Sequence, residues 1–402
     1  MVALGGAYWR LWISSALSNL ADGVFKVGLP LVAVSLTRSP TLIAGLTLAL
    51  TLPWLLFALP AGALADRLDR RRAMIGANSA RAVLLAALAL TISLDVGSIW
   101  VLYAIAFAVG TTETIYDTCA QSILPQLVGR EQLPRANGRL FAAELTANEF
   151  AGPPLAGFLV AAGAFAAFAT PAGLWVAAIG ALLLVRGSFR LPRERPATLR
   201  ADIAEGLRFV LRDPVLRTIA VMVGVFNFAD KAVFAVLVLY AVGPGSAMGL
   251  SEQAFGFLLT AIAAGGLVGS LAAEWAERVL GRRWTLGLGY TASAVMLGFP
   301  AVTTNPFLIG AAFLLGGIGT MMVNVVLVSL RQQLAPARLL GRVNSVHRLL
   351  SWGTMPLGAV AGGLLAHWLG LPATFAVMGV LSLLLLPGLR VVTARPQVVA
   401  VK

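Results

Sequence analysis

Apolar runs of about twenty residues recur along the chain, and nothing else in it limits the possible folds so tightly. A run of that length crosses a hydrocarbon core roughly 30 Å thick as an α-helix. Inside lipid no water is available for backbone N–H and C=O groups, so a spanning segment must satisfy them itself, and a helix does so. Twelve such spans can be marked, at residues 8–36, 41–65, 73–94, 98–124, 137–163, 168–187, 215–242, 251–278, 284–304, 306–331, 343–369 and 372–390. Charged residues make up only 12% of the chain and hydrophobic ones 59%, whereas soluble domains carry about 25% charged residues. The expected fold class is therefore all-α integral membrane. The first run contains charge and is too long for a signal-peptide core, so it is read as a retained span.

The net charge of +13 does not point to nucleic acid, because of where it lies. With a cytoplasmic N-terminus, 26 of the 30 Lys and Arg residues fall in cytoplasmic segments, among them Arg67–Arg72, Arg130–Arg139, Arg186–Arg217, Arg278–Arg283 and Arg331–Arg348. That is the positive-inside pattern, and an even number of spans places both termini in the cytoplasm. A single cysteine, Cys119 in span 4, excludes a disulfide within the chain, and no cluster suggests a metal or other cofactor. No phosphate-binding loop of the Gly-x-x-x-x-Gly-Lys-Ser/Thr kind occurs, so ATP is not the expected energy source.

The longest polar stretch, Arg186–Arg217, divides six spans from six. It gives an expected organisation of 1–187, a linker at 188–214, and 215–402. At an offset of 203 residues Arg135 matches Arg338, Gly138 matches Gly341, Arg139 matches Arg342 and Pro153 matches Pro356. At an offset of 208, Asn-x-Ala-Asp at Asn19–Asp22 recurs at Asn227–Asp230. Two six-helix repeats around a central cavity describe a secondary transporter, with a channel or an inert duplicated scaffold as the alternative.

A charge at the centre of a spanning helix costs about 2.5 to 3.5 kcal/mol on insertion scales, so the buried charges mark candidate working residues. Asp22, Glu113, Glu149 and Asp230 lie near mid-membrane and are the expected proton carriers, Asp230 first among them. Lys26 and Lys231 are their cavity partners, and the spacing of Asp22 and Lys26 also permits a closed bridge along the helix. Asp230 and Lys231 are consecutive and point about 100 degrees apart, so they are not expected to neutralise one another. Arg81 in span 3 and Asp117 in span 4 lie at similar depth and are expected to pair. Trp54, Trp175 and Trp352 lie away from span ends and, with Asn19 and Asn227, are candidate substrate surfaces.

GALADRLDRRRAM at Gly62–Met74 resembles the loop signature of the major facilitator superfamily, with Gly62, Asp66, Arg67, Arg70 and Arg71 matching and Asp69 standing where the pattern has its second glycine. GSLAAEWAERVLGRRWTL from Gly269 is a weaker second copy. LADGVFKVGLPLVAVSLTRSP, EGLRFVLRDPVLR and LLGRVNSVHRLLSWGTMPLGAVAGGLLA look like the branch of proton-coupled drug and siderophore exporters. The resemblance implies a gating latch at Gly62, Asp66, Arg67, Arg70 and Arg71, with Arg72 setting topology. AGPPLAGF resembles an exporter signature of span 5, matched by Gly152, Pro153 and Gly157. The implied function is proton-coupled export of lipophilic or amphipathic small molecules by alternating access. The implied setting is a bacterial inner membrane, with protons, substrate and lipids as partners and a monomer as the acting unit. An importer or lipid transporter of the same fold, or a non-transporting receptor, is the alternative.

Overall fold

A computed structural model describes residues 4–94, 97–187, 189, 199–336 and 339–394, and within these it leaves undescribed the side chains of residues 62–67 and of a few others. The chain's regular elements, among the described residues, are helices. Among the described residues the one extended pairing is an isolated bridge between Val242 and Leu250. In order the helices are α1 (Gly6–Leu36), α2 (Pro40–Arg67), α3 (Arg70–Ser93), α4 (Ile99–Ile123), α5 (Leu133–Glu144), α6 (Gly152–Ala162), α7 (Ala164–Leu183), α8 (Leu199–Arg212), α9 (Pro214–Phe234) and α10 (Leu237–Ala241). There follow α11 (Glu252–Gly298), α12 (Pro306–Leu334), α13 (Leu340–Trp352), α14 (Met355–Leu369), α15 (Leu371–Leu383) and α16 (Leu389–Val392).

Nine stretches among the described residues are long and apolar enough to cross a membrane. One of them holds two of the expected spans: α11 continues through Gly281, whose φ of 77° and ψ of 157° break the helix between the runs 251–278 and 284–304. Only glycine takes such a backbone freely. Expected span 5 is built from α5, a π-helical turn at Leu145–Ala151, and α6. Pro153 and Pro154 explain the turn, since neither has an N–H to return to the carbonyls of Glu149 and Phe150. The Phe150 carbonyl instead lies 3.4 Å from the Thr260 hydroxyl, which shares its proton with the Gly256 carbonyl at 3.0 Å.

Two compact units emerge. The first comprises Met1–Arg193 together with Leu237–Thr260. Its centre is α1, buried along most of its length. Tyr8, Met74, Tyr116, Ile123 and Leu182 form its core at one end. There the Tyr8 hydroxyl donates to the Ala136 carbonyl at 3.1 Å, and Trp12 Nε1 donates to the Arg139 carbonyl at 3.1 Å. Lipid tails are as apolar as leucine, so helices associate in a membrane through close packing rather than hydrophobic exclusion. The crossing of α1 with the π turn and α6 shows how. A Cβ on Gly152 would lie 2.8 Å from the Gly23 Cα, and one on Gly23 would lie 2.9 Å from the Asn148 Cα.

The segment 237–260 belongs to this unit for the same reason. A Cβ on Gly157 would meet Gln253 Cα at 2.8 Å, one on Gly256 would meet Pro154 Cα at 2.9 Å, and Arg38 Nη1 donates to the Val242 carbonyl at 2.9 Å.

The second unit comprises Glu194–Val236 and Ala261–Lys402. Ile219, Leu286, Tyr290, Val326 and Leu385 lie in its main core. The expected linker contains α8, which lies against α13 through Val210, Val343 and Val346 and an ion pair between Glu205 and Arg342.

Candidate functional site

The charged residues of α1 do not bridge along the helix. In the first unit Lys26 Nζ donates to Glu113 Oε1 on α4 at 2.9 Å, while Arg81 Nη1 of α3 reaches Asp22 Oδ2 at 3.5 Å. The two pairs thus cross between helices. Arg81 is wholly buried and is the hub of the site. Its Nη1 also donates to Ser18 Oγ and Asn78 Oδ1, each at 3.4 Å, and its Nε to Thr112 Oγ1 at 3.3 Å. The guanidinium carbon lies 5.2 Å from the Tyr116 ring centroid and 5.5 Å from that of Trp175, close enough for cation–π attraction. Side chains of α1, α3, α4 and α7 therefore meet on one cation. Among the described residues Asp22 Oδ1 and Arg81 Nη2 are buried without a hydrogen-bond partner.

The expected pairing of Arg81 with Asp117 is corrected by this geometry. Equal depth put the two residues at one level, but depth does not fix which way each helix turns its side chain, and Arg81 turns to α1. Asp117 remains half-buried within electrostatic reach of Asp22, Glu113, Arg81 and Lys26. The possible bridge from Asp22 to Lys26 is likewise replaced by the crossed pairs. Asn19, one turn before Lys26's neighbour Asp22, bonds inward to the Ser15 carbonyl at 2.8 Å. Trp175 is fully buried against Arg81 and Phe25, so it supports the cation rather than lining an open surface. Trp54 is half-buried, and Glu149 is exposed on the π turn.

In the second unit Lys231 Nζ lies 3.1 Å from Asp230 Oδ2, contrary to the expectation that consecutive residues would not neutralise one another. Their Cβ atoms do diverge, but the four-carbon lysine stem lets the ammonium swing back around the helix. Both side chains stay partly exposed. Asn227 Nδ2 donates to the Ser351 carbonyl at 2.9 Å, and Trp352 carries the Arg348 guanidinium 4.1 Å above its ring.

The model of the transmembrane secretion effector family matches residues 5–399, nearly the whole chain. The chain belongs to this family of the major facilitator superfamily. It is a membrane transporter of that fold and not an enzyme. It is 29% identical over 389 residues to the multidrug efflux pump Tap of Mycolicibacterium fortuitum, covering 92% of this chain and 91% of that pump. It is also 29% identical over 415 residues to Tap of Mycobacterium tuberculosis, covering 98% and 96%. A solved structure of the nucleoside transporter NupG superposes with a TM-score of 0.74 at 11% identity over 98% of this chain and all of that one. A bacterial homologue of the iron transporter ferroportin, in its inward-facing state, gives 0.71 at 17% identity over 96% and 99%. These last two likenesses speak for the fold alone.

The superfamily's loop signature has its own form here. Gly62, Asp66 and Arg67 have side chains outside the described ones, but the residues beyond them are clear. Asp69 caps α3, its Oδ1 accepting from the Arg72 N–H at 3.1 Å and its Oδ2 from the Phe189 N–H at 2.9 Å. Arg71 donates to the carbonyls of Leu182 at 2.8 Å and Leu183 at 2.9 Å, where α7 leaves its last acceptors open. Arg70 is buried and Arg72 exposed. The residue that departs from the signature, Asp69, thus ties the loop to Phe189 in the segment after α7, a role the sequence comparison did not assign to it.

Proposed function

We propose that the protein is a proton-coupled exporter, an antiporter that moves a lipophilic or amphipathic small molecule out of a bacterial cell by alternating access of its two six-helix halves. The observation that carries this reading is an imbalance of charge in the first unit. Three carboxylates, Asp22, Glu113 and Asp117, answer two cations, Lys26 and Arg81. Each cation bridges one acid, and among the described residues no cation forms an ion pair with Asp117. A carboxylate left over beside two satisfied pairs can gain or lose a proton without breaking either bridge. Substrate entry or a change of helix packing that alters access to Asp117 or to the unpartnered Oδ1 of Asp22 would load or release that proton. Glu149 and Asp230 remain the other carrier candidates. The relatives named as multidrug efflux pumps support the direction and the broad substrate class.

Reconstituted protein in proteoliposomes tests the proposal. Substrate addition should release or take up protons, and an imposed pH gradient should drive ethidium uphill. Asp117→Asn and Asp22→Asn should each stop uphill movement while leaving downhill ethidium exchange in place, because an amide keeps the shape but cannot titrate. Full uphill transport in Asp22→Asn, Glu113→Gln, Asp117→Asn, Glu149→Gln and Asp230→Asn alike would end the carrier assignment.

A further inference from the structure

Within the second unit, α9, α11, α12 and α13 line a partly open cavity of about 120 Å³. Its polar wall holds Asn227, Tyr290, Ser293, Thr320, Asn324, Arg331 and His347, and among the described residues no Asp or Glu lines it. The remainder is largely apolar, with the Phe226 ring set edgewise to Tyr290 at 6.5 Å.

Three of the polar groups hold unused hydrogen-bond donors. The Tyr290 hydroxyl is buried with no partner among the described residues. A hydroxyl shut away from water in that condition costs about 1 to 3 kcal/mol, which a bound acceptor would relieve. Arg331 is fixed through Nε, which donates to Asn344 Oδ1 at 2.9 Å, and its two terminal nitrogens have no hydrogen-bond partner among the described residues. Among the described residues the Asn324 amide reaches only the Met321 sulfur, at 4.0 Å. Ser293 and Thr320 satisfy one another at 2.9 Å, and His347 Nε2 faces Ser351 Oγ at 3.3 Å.

We propose that this cavity is an anion subsite that takes the carboxylate or phosphate end of an amphipathic molecule, with Arg331 supplying the charge and Tyr290 and Asn324 the neutral donors. Size agrees with that role. A water molecule occupies about 30 Å³ in the liquid and drug-sized sites run to roughly 300 Å³ and above, so the cavity fits a head group and leaves the apolar body outside. A guanidinium held by one nitrogen presents the others as a planar fork that matches two oxygens of one anion. The inference rests on the transport reading for its biological use, but binding at equilibrium tests it without transport.

The probes are 9-anthracenecarboxylate and its carboxamide, nearly equal in shape and differing in charge, titrated by fluorescence into the full chain in phosphatidylcholine nanodiscs. The wild-type protein should bind the carboxylate about tenfold tighter than the amide. Arg331→Gln and Tyr290→Phe should each reduce that preference while leaving carboxamide affinity unchanged, and Arg331→Lys should keep part of it. Equal affinity for the two probes in the wild type, or an intact preference in Arg331→Gln, overturns the proposal. Should Arg331→Gln lose both probes, Tyr290→Phe and Asn324→Ala decide, and an unchanged preference in both overturns it. Nanodiscs containing phosphatidylglycerol separate the sources: displacement of the carboxylate assigns the site to a lipid head group, and no displacement assigns it to a soluble amphiphile. Anion preference without proton flux would sink antiport alone; proton flux without anion preference would sink the subsite alone.

Discussion

Replacing Arg81 with Met should be among the most damaging single changes in the first unit, and a second change should reverse most of the damage. Arg81 is fully buried and the Asp22 side chain is 5% exposed, so removing the cation leaves a carboxylate in low dielectric without its partner. Breaking a buried pair from one side costs about 3 to 5 kcal/mol. The contact here is 3.5 Å, longer than a tight charged hydrogen bond, which argues for the lower end. Loss of the stacking on Tyr116 and Trp175 adds about 1 kcal/mol, although the methionine stem replaces some of that packing. The single variant should therefore lose about 4 kcal/mol. Asp22→Asn in the same chain removes the stranded charge, and the double variant should recover about 2 kcal/mol or more of that loss. Equilibrium unfolding of the purified protein in mixed micelles, followed by tryptophan fluorescence, reads both quantities as a double-mutant cycle. Equal destabilisation of the single and double variants would refute the pairing. So would a cycle built on Asp117→Asn that shows the larger coupling.

Other perturbations follow from the same contacts. Lys26→Met should cost about 2 to 3 kcal/mol in the unfolding assay, less than Arg81→Met because the lysine is 36% exposed but well above a surface pair because it strands Glu113, whose side chain is 11% exposed, and it should depress uphill transport. Gly23→Ala should destabilise the first unit by about 1 to 3 kcal/mol, because its methyl would press on the Asn148 backbone, whereas Gly173→Ala, where nothing lies within 4 Å, should be near neutral in the same measurement. Asp69→Ala should cost about 1 to 2 kcal/mol through loss of the cap and of the Phe189 bond, and should speed tryptic cleavage at the following arginines; Asp69→Asn should lose less.

Much of the fold was legible because apolar run length and loop charge are one-dimensional signals. The expected spans fall on helices, and the single long helix α11 is still divided at Gly281 between two of them. The site was legible in membership more than in wiring. Asp22, Lys26, Arg81, Glu113 and Asp117 were all picked out, but the sequence gives depth along each helix and little of its rotation. Partners at one level were therefore assigned to the nearest span, and Arg81 was matched with Asp117 although α1 supplies the acid. The π turn at Leu145–Ala151 had a trace in the paired prolines after it, but the shift it brings to Asn148 and Glu149 needed coordinates. The Tyr290 and Arg331 cavity had no trace at all, because its wall is gathered from four helices.

The crossed bridges also bear on how the chain is threaded into the bilayer. Synthesis runs from the N-terminus, so α1 is delivered before α3, and α3 before α4. Lys26 must wait for Glu113, which arrives three helices later; meanwhile Asp22, four residues away on its own helix, is the carboxylate within reach. On that order Asp22 would already be in the membrane when α3 brings Arg81, and Lys26 would give it up before α4 brings Glu113, its partner in the folded chain. One aspartate would then serve two cations in turn and keep the second.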